Sequence, residues 1–197
     1  MLFVVILQLL NYYEQTMQRI FLTGFMGSGK TTLGRFFAKE YGYSFIDLDH
    51  YIEGRYFKTI NQIFEESGEE GFRLIEQKAL KEVSEIEDVI IATGGGTPCF
   101  FDNMDYMNSC GLTIFINVSI PELTIRLEKA KSKRPLLKDK NKEEIGEYIK
   151  EKLQARLPYY QKSQLTIEGK DMYKKEDLAK MSEYLRNQVC SWKRGKG

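Results

Sequence analysis

Gly24-Phe25-Met26-Gly27-Ser28-Gly29-Lys30-Thr31 sets glycines, a lysine and a hydroxyl in the spacing G-x-x-x-x-G-K-S/T. Glycines here let backbone N–H groups turn inward around phosphate oxygens, and a helix starting near Lys30 presents its positive end to the same anion. Gly27, Ser28 and Gly29 then supply main-chain contacts to nucleotide phosphates, with Thr32 beside them. Lys30 reaches the β- and γ-phosphates, and the Thr31 hydroxyl ligates Mg²⁺. The chemistry indicated is binding of Mg·ATP, with Mg²⁺ as cofactor and ATP as co-substrate. A chance glycine turn would not be expected to carry the lysine and the hydroxyl in a strand–helix context as well.

Other residues have chemistry to offer but also plain structural readings. Asp47 and Asp49 flank Leu48 after Phe45-Ile46. If the strand continues through them, alternation points both carboxylates the same way, into the crevice at the end of a parallel sheet. One would then hold Mg²⁺ through water and the other would face a substrate hydroxyl. A helix N-cap explains the pair equally well. Arg73 and Glu76 stand i, i+3 on a helix and can pair, either as a surface bridge or as an arginine held ready for a substrate carboxylate. Gly94-Gly95-Gly96 allows close backbone approach to a ligand, or a tight turn. Arg134, in Lys133-Arg134-Pro135-Leu136-Leu137, reads as a solvated loop charge or as a lid arginine over the transferring phosphoryl group. Arg156 ends a helix just before Leu157-Pro158-Tyr159-Tyr160, where the helix dipole alone favours a cation.

These residues need elements to position them. Arg19–Thr23 reads as a buried strand and Lys30–Tyr41 as a helix with Leu33, Phe36 and Phe37 on one face. Phe45-Ile46 is a second strand, and 51–66 forms two short helical pieces broken near Lys58. Gly68 and Gly71 mark a turn before a helix over 72–86. Strands follow at 89–93 and 113–118, helices at 103–110, from Pro121 to about Lys131, and at 142–156. A strand at Leu165-Thr166-Ile167 and a helix over 175–190 end the chain. Apolar strands alternating with helices predict an α/β fold: a central parallel sheet covered on both faces, three layers in all.

Composition narrows the function classes. The chain has 197 residues, which fits one domain, and 42% hydrophobic content builds a core. Basic and acidic residues nearly cancel, 29 against 28, so no global field points to nucleic acid or a membrane surface. Cys99, Cys110 and Cys190 are odd in number and widely spaced, which suits reduced thiols and a cytoplasmic protein. His50 is the single histidine, so multi-histidine metal sites are excluded. The apolar run Leu2–Leu10 falls far short of the roughly 20 residues of a membrane span and lacks the flanks of a signal peptide. Residues 1–16 are therefore expected to be an extension outside the fold, with 17–197 as a single domain.

The ordered set Gly-Phe-Met-Gly-Ser-Gly-Lys-Thr-Thr, Asp-Leu-Asp, Gly-Phe-Arg-x-x-Glu, triple glycine, Arg-Pro-Leu-Leu and Arg-x-x-Tyr-Tyr resembles the shikimate kinases. The resemblance runs from about Gln18 to the last strand. It implies a P-loop kinase fold like that of the nucleoside monophosphate kinases, with a substrate region at about 47–80 and a lid at about 129–141. The implied reaction moves the γ-phosphoryl of ATP to the 3-hydroxyl of shikimate, in aromatic amino-acid biosynthesis. The resemblance implies Lys30, Asp49 and Arg134 as catalytic residues, with Arg134 also on ATP. It implies Thr31 and Asp47 on the metal, and Asp49, Phe64, Phe72, Arg73, Gly95, Gly96 and Arg156 on shikimate. A loop near Glu168 is expected beside the adenine, and a monomer is expected. The alternatives are a gluconate-type or nucleotide kinase on the same scaffold, or a P-loop protein that senses ATP without catalysis.

Overall fold

The computed structural model describes residues 19–131, 137–170 and 174–195. Five parallel strands form one sheet: β1 (Arg19–Thr23), β2 (Ser44–Asp47), β3 (Val89–Ala92), β4 (Leu112–Asn117) and β5 (Leu165–Glu168). Their order is β2-β3-β1-β4-β5. The register runs Ile20 beside Ile90 and Leu112; β3 and β1 end within one residue of each other, and β4 runs two residues further. The crevice for a ligand in such a sheet opens beyond these carboxyl ends, where the chain from β1 and the chain from β3 diverge.

Alternation along the strands divides the core. Ile20, Leu22, Ile90, Ile114 and Ile116 face α1 (Lys30–Tyr41), α5 (Ile120–Lys129), α6 (Lys142–Tyr160) and α7 (Lys175–Gly195). Phe21, Val89 and Ile91 face α2 (Leu48–Tyr56), α3 (Ile60–Val83) and α4 (Asn103–Cys110). Period-2 strands buried on both faces give the expected three layers.

Helix boundaries follow local chemistry. Thr59 and Gln62 form a capping box at the start of α3, while Phe57 in the left-handed region closes α2, so the break near Lys58 lies where expected. The turn expected at Gly68 and Gly71 is not a loop. Two helical arms meet at Gly68 alone (φ 68°, ψ −177°), and Gly71 lies inside the second arm. One glycine supplies the non-helical dihedrals, so no further residues are needed to change direction. The helix then ends at Val83 rather than at Ile86, and α6 runs on past Arg156 to Tyr160.

The α1 helix lies close on the sheet. A Cβ at Gly34 would meet Phe45 Cε2 at 2.7 Å and Leu22 Cδ1 at 2.8 Å. Gly34→Ala gains up to about 1 kcal/mol of helix propensity, but overpacking of this kind costs about 1–3 kcal/mol. The expected result is a net loss of about 1–2 kcal/mol, read as a lower urea midpoint with an unchanged m value.

Residues 1–18 and Arg134 with its neighbours at 132–136 lie outside the described residues, and so does most of what could test the expected extension. Leu137, just after that stretch, is fully buried in the α1-side core, so the far end of the expected lid is anchored. Among the described residues, no helix is long and apolar enough to cross a membrane.

Candidate active site

The turn between β1 and α1 takes the shape its glycines permit. Gly24, Gly27 and Gly29 have φ of 137°, 81° and 98°, values that L side chains rarely adopt. The loop wraps the N-terminus of α1, and the Lys30 ammonium donates to the Gly24 carbonyl at 2.7 Å and the Phe25 carbonyl at 3.0 Å. On the outer side, Arg126 of α5 donates to the Gly27 and Ser28 carbonyls at 3.3 Å each, and to Gly169 O at 2.7 Å. One guanidinium thus ties the phosphate loop to the segment after β5. Arg126 carries no sequence signal that separates it from an ordinary helix-surface arginine.

A crevice of about 310 Å³ opens over the loop, lined by Gly27, Gly29, Lys30, Thr31, Asp47 and Asp49, among others. A larger hollow of about 570 Å³ along α6, lined by residues such as Glu144 and Glu147, has neither a glycine cradle nor a held cation and lies away from this chemistry.

The two aspartates reach the crevice by a different route from strand alternation. β2 stops at Asp47, which caps α2 by accepting from His50 N at 3.4 Å, and Asp49 sits in the first helical turn. Leu48 between them is fully buried. The preference of aspartate for a helix start decided this. The N-cap reading therefore holds for Asp47, and the cap leaves its second oxygen free to face the phosphate loop. Its Oδ2 accepts from Thr31 Oγ1 at 2.7 Å, so two hard oxygen ligands stand together beside the phosphate cradle. Mg²⁺ keeps several waters and phosphate oxygens and needs only one or two protein oxygens, so this pair fits it. Among the described residues no cluster of three or more metal-binding side chains forms a closed cage.

Asp49 is the perturbed carboxyl of the site. Crowding by protein raises its pKa from 3.8 to about 6, with repulsion from Glu76 and then Asp47 adding to it and Lys30 opposing. Asp49 keeps exposed surface in the open crevice. Crevice water therefore weakens the burial effect, and a substrate that displaces that water strengthens it.

Side chains from separate helices converge on the triple glycine. A Cβ at Gly94 would fall 2.8 Å from Glu76 Oε1 and 2.9 Å from Asp49 Oδ1. At Gly95 it would lie 3.4 Å from Arg156 Nη1, and at Gly96 it would run into the Arg73 guanidinium at 2.6 Å. Asp49, Arg73, Glu76 and Arg156, four side chains from three helices, thus occupy the space that side chains on this turn would need. Arg73 is buried, donates to Glu76 Oε2 at 2.8 Å and to Glu69 Oε1 at 3.2 Å, and its Nε has no hydrogen-bond partner. Its guanidinium lies 3.9 Å from the Phe100 ring centroid and 5.1 Å from that of Phe72, which stacks on Phe64 at 4.4 Å. Arg156 reaches the same region. Burial raises the Cys99 thiol to about 11 while Arg156 and Arg73 both pull it down, so both cations act on one spot. Cys99 stays a protonated, reduced thiol.

Phe100, Thr97 and Tyr160 were not assigned from the sequence. Phe100 follows the glycines immediately, but an aromatic after a turn is no signal by type. Tyr160 is fully buried, stacks on Phe115 at 5.2 Å and donates its hydroxyl to the Gly95 carbonyl. The second tyrosine of Arg-x-x-Tyr-Tyr thus fixes the glycine turn, and its position four residues after Arg156 was the available hint.

Comparison with known proteins agrees with this geometry. The sequence model of the shikimate kinase family matches residues 26–186. A shikimate kinase of Parabacteroides distasonis is 52% identical over 169 residues, 86% of this chain and 98% of its own length. One from Phocaeicola vulgatus is 50% identical over 88% of this chain and 99% of its own. The crystal structure of the Bacteroides thetaiotaomicron shikimate kinase superposes with a TM-score of 0.86 at 44% identity, covering 88% of this chain and 98% of that one. The Acinetobacter baumannii enzyme, solved in complex with shikimate, gives 0.78 at 30% identity, covering 92% and 97%. On sequence and on fold alike, the chain belongs to the shikimate kinase family and is an ATP-dependent kinase of aromatic amino-acid biosynthesis.

Proposed function

We propose that Asp49, Arg73 and Arg156 orient shikimate so that its 3-hydroxyl faces the γ-phosphorus of ATP held over Lys30. The observation that carries this is the crowding of the triple-glycine turn by Asp49, Arg156 and Arg73 at successive glycines. Two guanidinium groups suit a carboxylate, and a raised carboxyl suits a hydroxyl. Arg73 and Arg156 take the ring carboxylate by charge-assisted hydrogen bonds, and the glycine backbone at Gly95 and Gly96 lets the ring approach. Phe64 and Phe72 flank its apolar face. Asp49 accepts the hydroxyl proton as the new oxygen–phosphorus bond forms, and the bond to the β-phosphate oxygen breaks to release ADP. Thr31 and Asp47, the latter through water, would hold Mg²⁺, which neutralises charge on the phosphates. Lys30 leaves the loop carbonyls for the β- and γ-phosphate oxygens.

The substrate reading is tested by a coupled assay of ADP release with shikimate, gluconate and nucleoside monophosphates. Turnover with shikimate alone is expected. Preference for gluconate or a nucleotide would reassign the twin arginines. We further place the protein in the cytoplasm as a monomer, with no nucleic-acid or membrane partner, and we take 17–197 as the functional domain.

Arg134 enters from the sequence and the resemblance, since it lies outside the described residues. As a lid cation it acts on charge that develops during transfer, so Arg134→Ala is expected to lower kcat by about 10²-fold with little change in shikimate KM. Wild-type kcat in that variant would reduce Arg134 to a solvated loop charge.

A further inference from the structure

One buried hydroxyl beside the glycine turn is not used by the transfer scheme. Thr97 is fully buried, and its Oγ1 donates to Glu76 Oε1 at 2.6 Å. Its main chain is tied on both sides. Thr97 N donates to the Gly94 carbonyl at 3.2 Å, and the Thr97 carbonyl accepts from Asn103 Nδ2 at 3.0 Å. Asn103 is itself fully buried. Glu76, only 1% exposed, therefore has one donor on each carboxylate oxygen. Oε2 takes Arg73 from its own helix, and Oε1 takes Thr97 from the turn after β3.

The placement matters because Glu76 faces another carboxylate. Glu76 Oε1, Asp49 Oδ1 and Thr97 Oγ1 lie 2.8, 2.9 and 3.0 Å from a single point, where a Gly94 Cβ would stand. Repulsion from Asp49 pushes the Glu76 head group away, and the Thr97 hydroxyl holds it. A Glu76 that rotated would carry the Arg73 fork with it, off the Phe100 face and out of line with Gly96. We propose that Thr97 is a positioning residue for carboxylate recognition. Its hydroxyl locks Glu76, and Glu76 locks the plane of Arg73 toward the substrate. The inference rests on the reading of Arg73 as a carboxylate anchor.

Thr97→Val keeps the shape and removes the donor. Loss of a hydrogen bond to a buried charge is expected to raise shikimate KM by about five- to twentyfold, with kcat within about twofold and ATP KM unchanged. Thr97→Ser restores the hydroxyl and is expected to bring shikimate KM back to within about twofold of wild type. If the valine variant is insoluble, Thr97→Ala makes the same comparison. A shikimate KM that stays at the wild-type value, or an equal rise in both KM values, overturns the proposal. Arg73→Ala, measured alongside, separates the two layers. If Arg73→Ala raises shikimate KM and the Thr97 variants do not, only the role of Thr97 fails. If Arg73→Ala leaves it unchanged, the anchor reading fails and the role of Thr97 with it.

Discussion

Asp49→Asn is expected to nearly abolish phosphoryl transfer to shikimate while Mg·ATP still binds. Asparagine keeps the shape and one acceptor oxygen but removes the charge and the basicity. A general base contributes about 10²–10⁴-fold, so the loss in single-turnover rate should fall at least in that range. The local chemistry favours this assignment over the reverse one. Asp47 is already engaged with Thr31 Oγ1 and the α2 N-terminus, whereas Asp49 carries the raised pKa. A base must be deprotonated, so kcat/KM for shikimate should fall as pH drops through the Asp49 titration. Mg²⁺ beside Asp47 draws that limb below the metal-free position of about 6 toward the ordinary aspartate range. The limb should vanish in the variant.

A stability measurement guards against a trivial explanation. The folded-state pKa of Asp49 lies above its unfolded value of 3.8, so the folded protein binds this proton more tightly. Stability from this group is present at low pH and is lost as pH rises through about 6. Asparagine removes a charge that the fold disfavours, and the Asp49→Asn melting temperature at pH 7 should be no lower than that of the wild type. Retention of more than about a tenth of the wild-type rate would falsify the base assignment. Loss of nucleotide and metal binding instead would mean that Asp47 and Asp49 have exchanged roles. Phosphoryl transfer is loose, so part of the effect is positioning of the hydroxyl, and the pH limb is what separates base from anchor.

Arg73→Ala should act on substrate and fold together. Charge-assisted hydrogen bonds are worth about 1.5–3 kcal/mol each, so shikimate KM should rise well over tenfold while ATP KM hardly moves. The second consequence follows from burial. Arg73 and Glu76 side chains are 9% and 1% exposed, and the truncation leaves Glu76 with Thr97 alone, facing Asp49. Breaking a buried pair from one side typically costs about 3–5 kcal/mol. A double variant separates the effects. Arg73→Ala with Glu76→Gln removes the orphaned charge and should recover most of the lost stability, read from the denaturant midpoint, without recovering shikimate affinity. Recovery of both would mean that Arg73 serves the fold and not the substrate. Arg156→Ala should also raise shikimate KM by over tenfold, with a smaller stability cost because Arg156 is less buried.

The phosphate loop was legible from the sequence because its demands are local. Positive φ at Gly24, Gly27 and Gly29, and a lysine one residue past the last glycine, are properties of a short segment. The parallel sheet was legible for the same kind of reason, since buried strands and amphipathic helices advertise their period. The pair at Asp47 and Asp49 was found for the wrong local reason. Residue types marked the spot, but the helix start at Leu48, not strand alternation, turns the carboxylates into the crevice. The turn expected at Gly68 and Gly71 reduced to a single-residue kink because helix packing on both sides overrode the punctuation.

What only the tertiary structure decided is the meaning of the single residues. Arg73 and Glu76 at i, i+3 are equally a weak surface bridge in sequence. Burial against Phe72 and Phe100, and a second donor from Thr97, made them a held fork. The triple glycine was equally a tight turn. Its lack of side chains acquires a use only where Asp49, Arg156 and Arg73 arrive from three separate helices to fill the missing Cβ positions. Thr97, Phe100 and Arg126 gave no usable signal, because a threonine, an aromatic or a surface arginine acquires its role from partners far away in the chain. Chemistry that depends on backbone conformation is written in consecutive residues, whereas chemistry that depends on convergence appears only when the sheet brings the ends of β1, β2 and β3 to one edge.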